Sequence, residues 1–560
     1  MLAPYQICDS CCLYPSNCRW QVHPRREKDF DSKGPLYGGL REISLCFVSK
    51  SDGFLRKKAM KKISQILCVV LSQVIALICC WPSPTVAAQK VTATLDKNDP
   101  EIRAVLAQIE SDIEKGRQEK KIAGLSVAIV YDQDVLLSKG FGFADLDKKV
   151  PADQSTVYRV GSVTKLLTAL MLMQLRDAGK LNLDDPIEKY LPEFKIKSRF
   201  PDARPATFRQ VAAHYSGLPI EPPMTIEYEN PEKFPPVEEQ LKSLKDVEMI
   251  VPAMSQFAYS NLGYNIMGLA LARIAKQPYT QYVDQHILKP LRMNQSGFAL
   301  TESMKSHFAV GYRAARPDGT FEKSSYPEYG MASGMLYSSV DDMTHFMSLF
   351  FREGRAGGKQ VLGSYSLREM TIPVAVSTDL RKDAEGKPLE LWRVGSGIGW
   401  VMAVTSYGEQ LDYKPGGTKG FSCVVYINYP RKLGMVVLMN TEGDPYYFGS
   451  AALRKLTPVV VKSLERSQAE ALKAALPSWQ KYTGRYLLND PNAVRTVTFS
   501  EFDVAIVNQK LVLTVPELQP GSVVYMKETP LEPFGDNVFH VDGGSFYGNF
   551  ITFESSTMAA

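Results

Sequence analysis

Tyr158-Arg159-Val160-Gly161-Ser162-Val163-Thr164-Lys165, followed at once by Leu166-Leu167-Thr168-Ala169-Leu170-Met171-Leu172-Met173, is the stretch from which this 560-residue chain can be read. The apolar run has the composition of a buried helix, and its pattern predicts one over Leu166 to Ala178. Ser162 then sits at the helix N-terminus, where the aligned peptide dipoles place partial positive charge. Lys165 follows one turn later on the same face, close enough to take the serine proton. By itself the spacing is a weak signal. It recurs at Ser478 and Lys481, where nothing nearby supports chemistry, so context has to decide.

Two further segments supply that context. Tyr259-Ser260-Asn261 stands just ahead of a second helical pattern, Ile266 to Ala275. A Tyr-x-Asn triplet also starts at Tyr228, Tyr426 and Tyr547, so a tyrosine in a turn is the ordinary reading of any one of them. Lys414-Pro415-Gly416-Gly417 precedes a strand pattern that begins at Phe421. Read alone it is a solvated turn; on a sheet edge, a lysine beside bare backbone can hold a substrate carboxylate and carbonyl.

Taken in order, the three segments resemble the active-site signature of class C β-lactamases, low-molecular-weight penicillin-binding proteins and related esterases and peptidases. Phe208 to Pro219, with His214-Tyr215-Ser216-Gly217-Leu218-Pro219, looks like the family's His-Thr-Ser-Gly-Leu segment. Gly330 to Met343 is similar to another family block, and the likeness runs from about 100 to 465. It implies an α+β fold in which a five-stranded antiparallel sheet flanked by helices joins a helical half, with the site between them. Ser162 would attack an amide or ester carbonyl to give an acyl-enzyme. Lys165 and Tyr259 share the proton transfers, either being allowed as base. The Lys414 cation is expected to favour a neutral Lys165 and a Tyr259 phenolate. By the same likeness Asn261 orients the substrate amide, Gly416 lies along the bound substrate, and the backbone N–H groups of Ser162 and Gly417 receive the oxyanion.

One departure stands out. Where β-lactamases usually carry Lys-Thr-Gly, this chain has Lys414-Pro415-Gly416, losing a hydroxyl that helps bind a β-lactam carboxylate; Thr418 or Ser422 is the nearest replacement. The change moves the expectation toward a carboxypeptidase or an esterase. The rival from another class is a non-catalytic or slowly deacylating protein that binds penicillin or cell-wall peptide. A Ser-His-Asp hydrolase is disfavoured because no Gly-x-Ser-x-Gly elbow is present. Six dispersed histidines without His-Glu-x-x-His argue against a zinc site, so no metal and no cofactor is expected, and His214 reads as structural.

Around this core the chain is organised as follows. Residues 90–120 carry apolar positions at helical spacing (Ile102, Val105, Leu106, Ile109, Ile113). Two hairpin patterns, Ile122 to Tyr131 with Val135 to Gly142 and Phe421 to Tyr429 with Leu433 to Asn440, lie at either end of a helical middle. That places the hydrolase domain at 95–465. A helical stretch from Pro458 to Ala475 leads into short alternating strands, so 478–560 reads as a separate β domain; its opening, Trp479-Gln480-Lys481-Tyr482-Thr483-Gly484-Arg485-Tyr486, resembles the small lipocalin-like β-barrel domain appended to many such hydrolases, which implies that its aromatic residues fill a barrel core. Met60 opens a segment with Lys61 and Lys62, an apolar run from Ile66 to Trp81 and the small residues Val86 and Ala88, the order of a signal peptide over 60–88. The expected location is periplasmic or secreted, with membrane contact only if that segment stays uncleaved. Residues 1–59 then read as a disordered gene-model extension. Eight of the nine cysteines precede residue 81, leaving Cys423 alone in the globular body. A net charge of +5 scattered over 560 residues gives no stripe for nucleic acid, so a small-molecule or peptide substrate is the expected partner.

Overall fold

The computed structural model describes residues 19–24, 94–193, 196–201, 204–222, 239, 242–243, 245, 248–324, 331–379, 392–404, 410–488, 501–508, 510–514, 528–535, 538–541 and 550–553. The segment 60–88 falls outside them. The chain divides into two compact units, Leu95–Leu464 and a second built from the segments on either side of it.

Within Leu95–Leu464 the strands Gly124–Tyr131 and Leu433–Met439 are almost continuously apolar and buried, the signature of strands covered on both faces. They pair antiparallel, with Val127 opposite Val437, so the start and the end of the unit meet at the middle of one sheet. Asp134–Asp145 flanks them on one side; Phe421–Asn428 and Gln410–Thr418 follow on the other. These five long strands match the expected antiparallel sheet, but the sheet does not stop there. The short strands Val150–Pro151, Val401–Val404, Trp392–Ser396 and Ala375–Asp379 extend it to nine among the described residues.

One face of the sheet is packed by the helix Pro100–Glu119, through Ile102, Ile109 and Ile113, together with Phe448, Leu453 and Leu456 of the helix Tyr446–Trp479. The other face meets the helical half. There Thr164–Asp177 is buried on nearly every side from Thr164 to Met173, and so acts as the central helix of the unit. Asn261–Ala275 and Val340–Phe351 pack into the same core. Ser260 starts the first of these by accepting the Gly263 N–H at 2.8 Å, and Ser339 starts the second by accepting from Asp342.

Among the described residues the second unit contains a closed barrel of seven strands: Arg19–Pro24, Gly484–Leu488, Glu501–Val507, Lys510–Thr514, Glu528–Gly535, Val538–Val541 and Phe550–Phe553. Buried Tyr486 and Phe502 stack at 5.7 Å, and Phe539 is fully enclosed. The reading of residues 1–59 as disordered is corrected for Arg19–Pro24; the remainder of that segment lies outside the described residues. Arg19–Pro24 pairs with Tyr486–Leu488 on one side and with Phe550–Phe553 on the other, and thereby closes the barrel.

Candidate active site

The serine is presented by a turn that only glycine permits. Gly161 has φ +49°, and a Cβ there would come within 2.6 Å of the Gly417 carbonyl oxygen. Gly161–Val163 forms a 3₁₀ turn that runs into Thr164–Asp177. Thr164 locks it: its hydroxyl donates to the Gly161 carbonyl at 2.7 Å and accepts from the Leu336 N–H at 3.0 Å. From the other side the sheet presses in. A Cβ on Gly416 would lie 2.1 Å from the Val160 carbonyl, so the strand Gln410–Thr418 can pass this turn only as bare backbone.

Read alone, Lys414 to Gly417 looks like a solvated turn ahead of a strand, with a sheet edge as the functional alternative. They lie instead inside the strand Gln410–Thr418, between Val401–Val404 and Phe421–Asn428. Lys414 is 2% exposed. Its Nζ sits 5.5 Å from the centre of the Tyr259 ring, and burial pulls its pKa down to about 7. Of the two candidate replacements for the missing hydroxyl, Ser422 Oγ accepts the Gly443 N–H at 3.1 Å, while Thr418 Oγ1 is buried with no partner.

Four of the remaining predicted site residues converge. Tyr259 donates its hydroxyl to Ser162 Oγ at 2.6 Å. Lys165, fully buried, has its Nζ 3.3 Å from the same oxygen, 2.7 Å from Asn261 Oδ1 and 2.7 Å from the Ser333 carbonyl. The same Nζ faces the rings of Tyr259 and Tyr264 at 4.9 and 5.3 Å. Desolvation, with the nearby Lys414 charge, holds the Lys165 amine well below its ordinary pKa. The expected phenolate is corrected: burial pushes the Tyr259 hydroxyl up to about 12, so it stays protonated and can donate.

Three further residues contribute: Glu221, outside every segment singled out in the sequence, and Ser333 and His214, which lie in the family-like segments but were given no role at the site. Glu221 Oε1 accepts from Asn261 Nδ2 at 2.7 Å. Ser333 contributes a backbone carbonyl, which leaves no mark on residue type. His214, at φ +60°, accepts the Ser260 N–H on Nδ1 at 3.2 Å and stacks 4.3 Å from the Tyr259 ring. Burial holds its imidazole well below the usual range and therefore neutral, which makes it a wall for Tyr259. Among the described residues no group of His, Cys, Asp and Glu is placed to hold a metal, and no helix is long and apolar enough to cross a membrane.

The family model described as Beta-lactamase matches residues 109–457, which include all of these side chains. The chain belongs to the beta-lactamase family. Over 433 residues this family member is 29% identical to "Beta-lactamase-like protein 2" of Dictyostelium discoideum, covering 75% of the chain and 76% of that protein. It is also 29% identical over 337 residues to "Protein flp" of Staphylococcus aureus (strain MW2), covering 60% of the chain and 63% of the relative, just under two thirds. Two solved structures share its fold, each with a TM-score of 0.53. The octameric penicillin-binding protein homologue from Pyrococcus abyssi is 24% identical over 78% of this chain and 93% of its own. The Beta-lactamase/D-alanine Carboxypeptidase from Yersinia pestis is 21% identical over 65% and 99%.

Proposed function

We propose that this beta-lactamase family member is an exported serine hydrolase that works through an acyl-enzyme on Ser162. The observation that carries the reading is the hydrogen-bond set of Lys165. A neutral amine has two N–H groups and one lone pair. Two of the three neighbours of Nζ, the Asn261 and Ser333 oxygens at 2.7 Å, can only accept. The third and longest contact, at 3.3 Å, is a hydroxyl that can donate. The lone pair therefore faces Ser162, and Lys165 is the base. Tyr259, protonated and 2.6 Å from Oγ, is the acid that delivers a proton to the leaving group and regains one from Lys165. The Ser162 and Gly417 N–H groups receive the carbonyl oxygen, with Gly416 bare so that the strand can approach. Water then cleaves the ester.

The substrate class follows from the strand. Lys414 beside Pro415 offers a cation without the neighbouring hydroxyl, which favours a D-Ala-D-Ala-type peptide or a small ester over a dedicated β-lactam. Turnover of nitrocefin, a p-nitrophenyl ester and a D-Ala-D-Ala peptide by the full chain and by Ser162→Ala, with intact-mass detection of adducts, tests this. Serine-dependent turnover of one substrate is the expected result. An adduct that forms and does not turn over would replace the hydrolase with a slowly deacylating binding protein, and no adduct at all would end the reading.

Export rests on the residue order at 60–88, and periplasmic or secreted location follows from it. A specific observation favours a second reading of the N-terminus: cleavage after Ala88 would remove Arg19–Pro24, the strand that closes the barrel. The N-terminal mass of protein isolated from its own cells separates the two, Gln89 marking export and a residue before Arg19 marking a retained N-terminal strand.

A further inference from the structure

Asn261 is held at both ends. Its amide oxygen accepts a hydrogen bond from Lys165 Nζ and its amide nitrogen donates one to Glu221 Oε1, both at 2.7 Å. An ionised carboxylate offers acceptors only. With Glu221 in place, a flipped amide would set Oδ1 against a carboxylate oxygen and turn Nδ2 toward an amine that already needs acceptors. The observed orientation is therefore the one that satisfies both neighbours, and the carboxylate is what selects it. Glu221 lies just beyond the His214 to Pro219 segment, in the loop whose Ile220 carbonyl accepts the Asn261 and Leu262 N–H groups at 3.0 and 3.1 Å. The loop and the helix Asn261–Ala275 are thus tied together at backbone and side chain alike.

We propose that Glu221 is a positioning residue for Lys165: through Asn261 it holds the amine against Ser162, and its charge acts on that amine. The proposal rests on the serine-hydrolase reading above. Every charged or titratable group facing Lys165 enters it. Lys414, from the strand Gln410–Thr418, is a cation that disfavours a second one beside it. Tyr259 and Tyr264 present ring faces and protonated hydroxyls, and His214, behind Tyr259, is neutral. Ser162 and the Ser333 carbonyl are uncharged. Among the described residues Glu221 is the anion acting on the amine, and it works against burial and Lys414 by favouring the protonated form.

Glu221→Gln keeps the size and a carbonyl acceptor for Asn261 but removes the charge. Glu221→Ala removes both, and Glu221→Asp keeps the charge on a shorter arm. The probe is an alkyl fluorophosphonate applied to the full chain. A bond forms between Ser162 Oγ and phosphorus, fluoride leaves, and the serine proton passes to Lys165; the adduct is counted by intact mass across pH. For Glu221→Gln the acid limb of the labelling rate is expected to move to lower pH by roughly half a unit or more, with a plateau near that of the unaltered protein. For Glu221→Ala the plateau is expected to fall about 10-fold or more, as the amine loses its alignment, with partial recovery in Glu221→Asp. A Glu221→Gln profile that overlays the unaltered one, in labelling that still requires Ser162, overturns this inference and leaves the hydrolase intact. An unaltered protein that is not labelled, or a Ser162→Ala protein labelled equally well, removes the hydrolase and this inference with it.

Discussion

The chain carries the spacing Ser-x-x-Lys twice, and the two copies share nothing but their letters. Ser162 opens a helix that is buried on nearly every side, and Lys165 is 0% exposed beside a second lysine. Ser478 stands at the far end of the helix Tyr446–Trp479, and Lys481 follows in the 3₁₀ turn Gln480–Tyr482. Both residues of this second pair are exposed, and Lys481 lies over the Tyr482 ring at 4.6 Å. Helix polarity separates them first: a helix N-terminus favours developing negative charge on a serine oxygen, and a C-terminus opposes it. Solvent separates them next. Burial is part of what lowers the Lys165 amine's affinity for the proton, and Lys481 is exposed.

The comparison breaks most sharply at the serines. Ser162→Ala is expected to lower turnover by about 10⁴-fold or more, whereas Ser478→Ala leaves it within about twofold, measured on the same ester substrate. At the lysines the expected contrast is smaller. Lys165→Met fills the same space without the lone pair and should cost about 10² to 10⁴ in the acylation rate, read by stopped-flow release of p-nitrophenol; Lys481→Met should cost nothing. Equal losses at Lys165 and Lys481 would mean that burial does not make the base. The residue ahead of each serine sharpens the point further. Gly161→Ala forces a side chain into φ +49° and against the Gly417 carbonyl, so a loss of roughly 1 to 3 kcal/mol in thermal or urea unfolding is expected, with turnover falling alongside. Pro477→Ala, ahead of the second serine, should leave turnover unchanged.

The first pair was legible in the sequence because its surroundings were periodic. The apolar run after Lys165 predicted a helix over Leu166 to Ala178, and the structure has Thr164–Asp177; both hairpins fell within three residues of their strands. Lys414 to Gly417 misled for a physical reason. Proline and two glycines signal a turn when the chain is read locally, yet Gly416 is bare because the Val160 carbonyl passes 2.1 Å from where its Cβ would be, a neighbour some 250 residues away. Glu221 lay beyond every motif, since a single carboxylate shows its role only when Asn261 is beside it. Arg19–Pro24 alternates only briefly, with Trp20 and Val22 between polar residues, too short a run to announce a strand on its own; its edges are supplied by Tyr486–Leu488 and Phe550–Phe553, more than 450 residues on. What periodicity encodes could be read, and what distant backbone imposes could not.

The third lysine gives the finest test of the same contrast. Lys414 is as dry as Lys165, and its charge, felt at Lys165, makes that amine easier to deprotonate. Lys414→Met removes the charge, so the Lys165 pKa rises and the acid limb of fluorophosphonate labelling moves to higher pH, opposite in direction to Glu221→Gln. A probe without a carboxylate keeps any substrate-binding role of Lys414 out of the measurement. Stability should answer with its own sign. The folded pKa of Lys414, about 7, lies below its ordinary 10.5, so between those values the unfolded chain holds more protons and stability climbs with pH. Below pH 7 the buried lysine is charged in both states and its cost is complete. Lys414→Met should therefore be the more stable protein by an amount on the order of a few kcal/mol at pH 6, and the gap should narrow steadily toward pH 10. A gap that stays constant from pH 6 to 10 would mean that Lys414 folds with its ordinary affinity for the proton, and the electrostatic link between the two buried lysines would go with it.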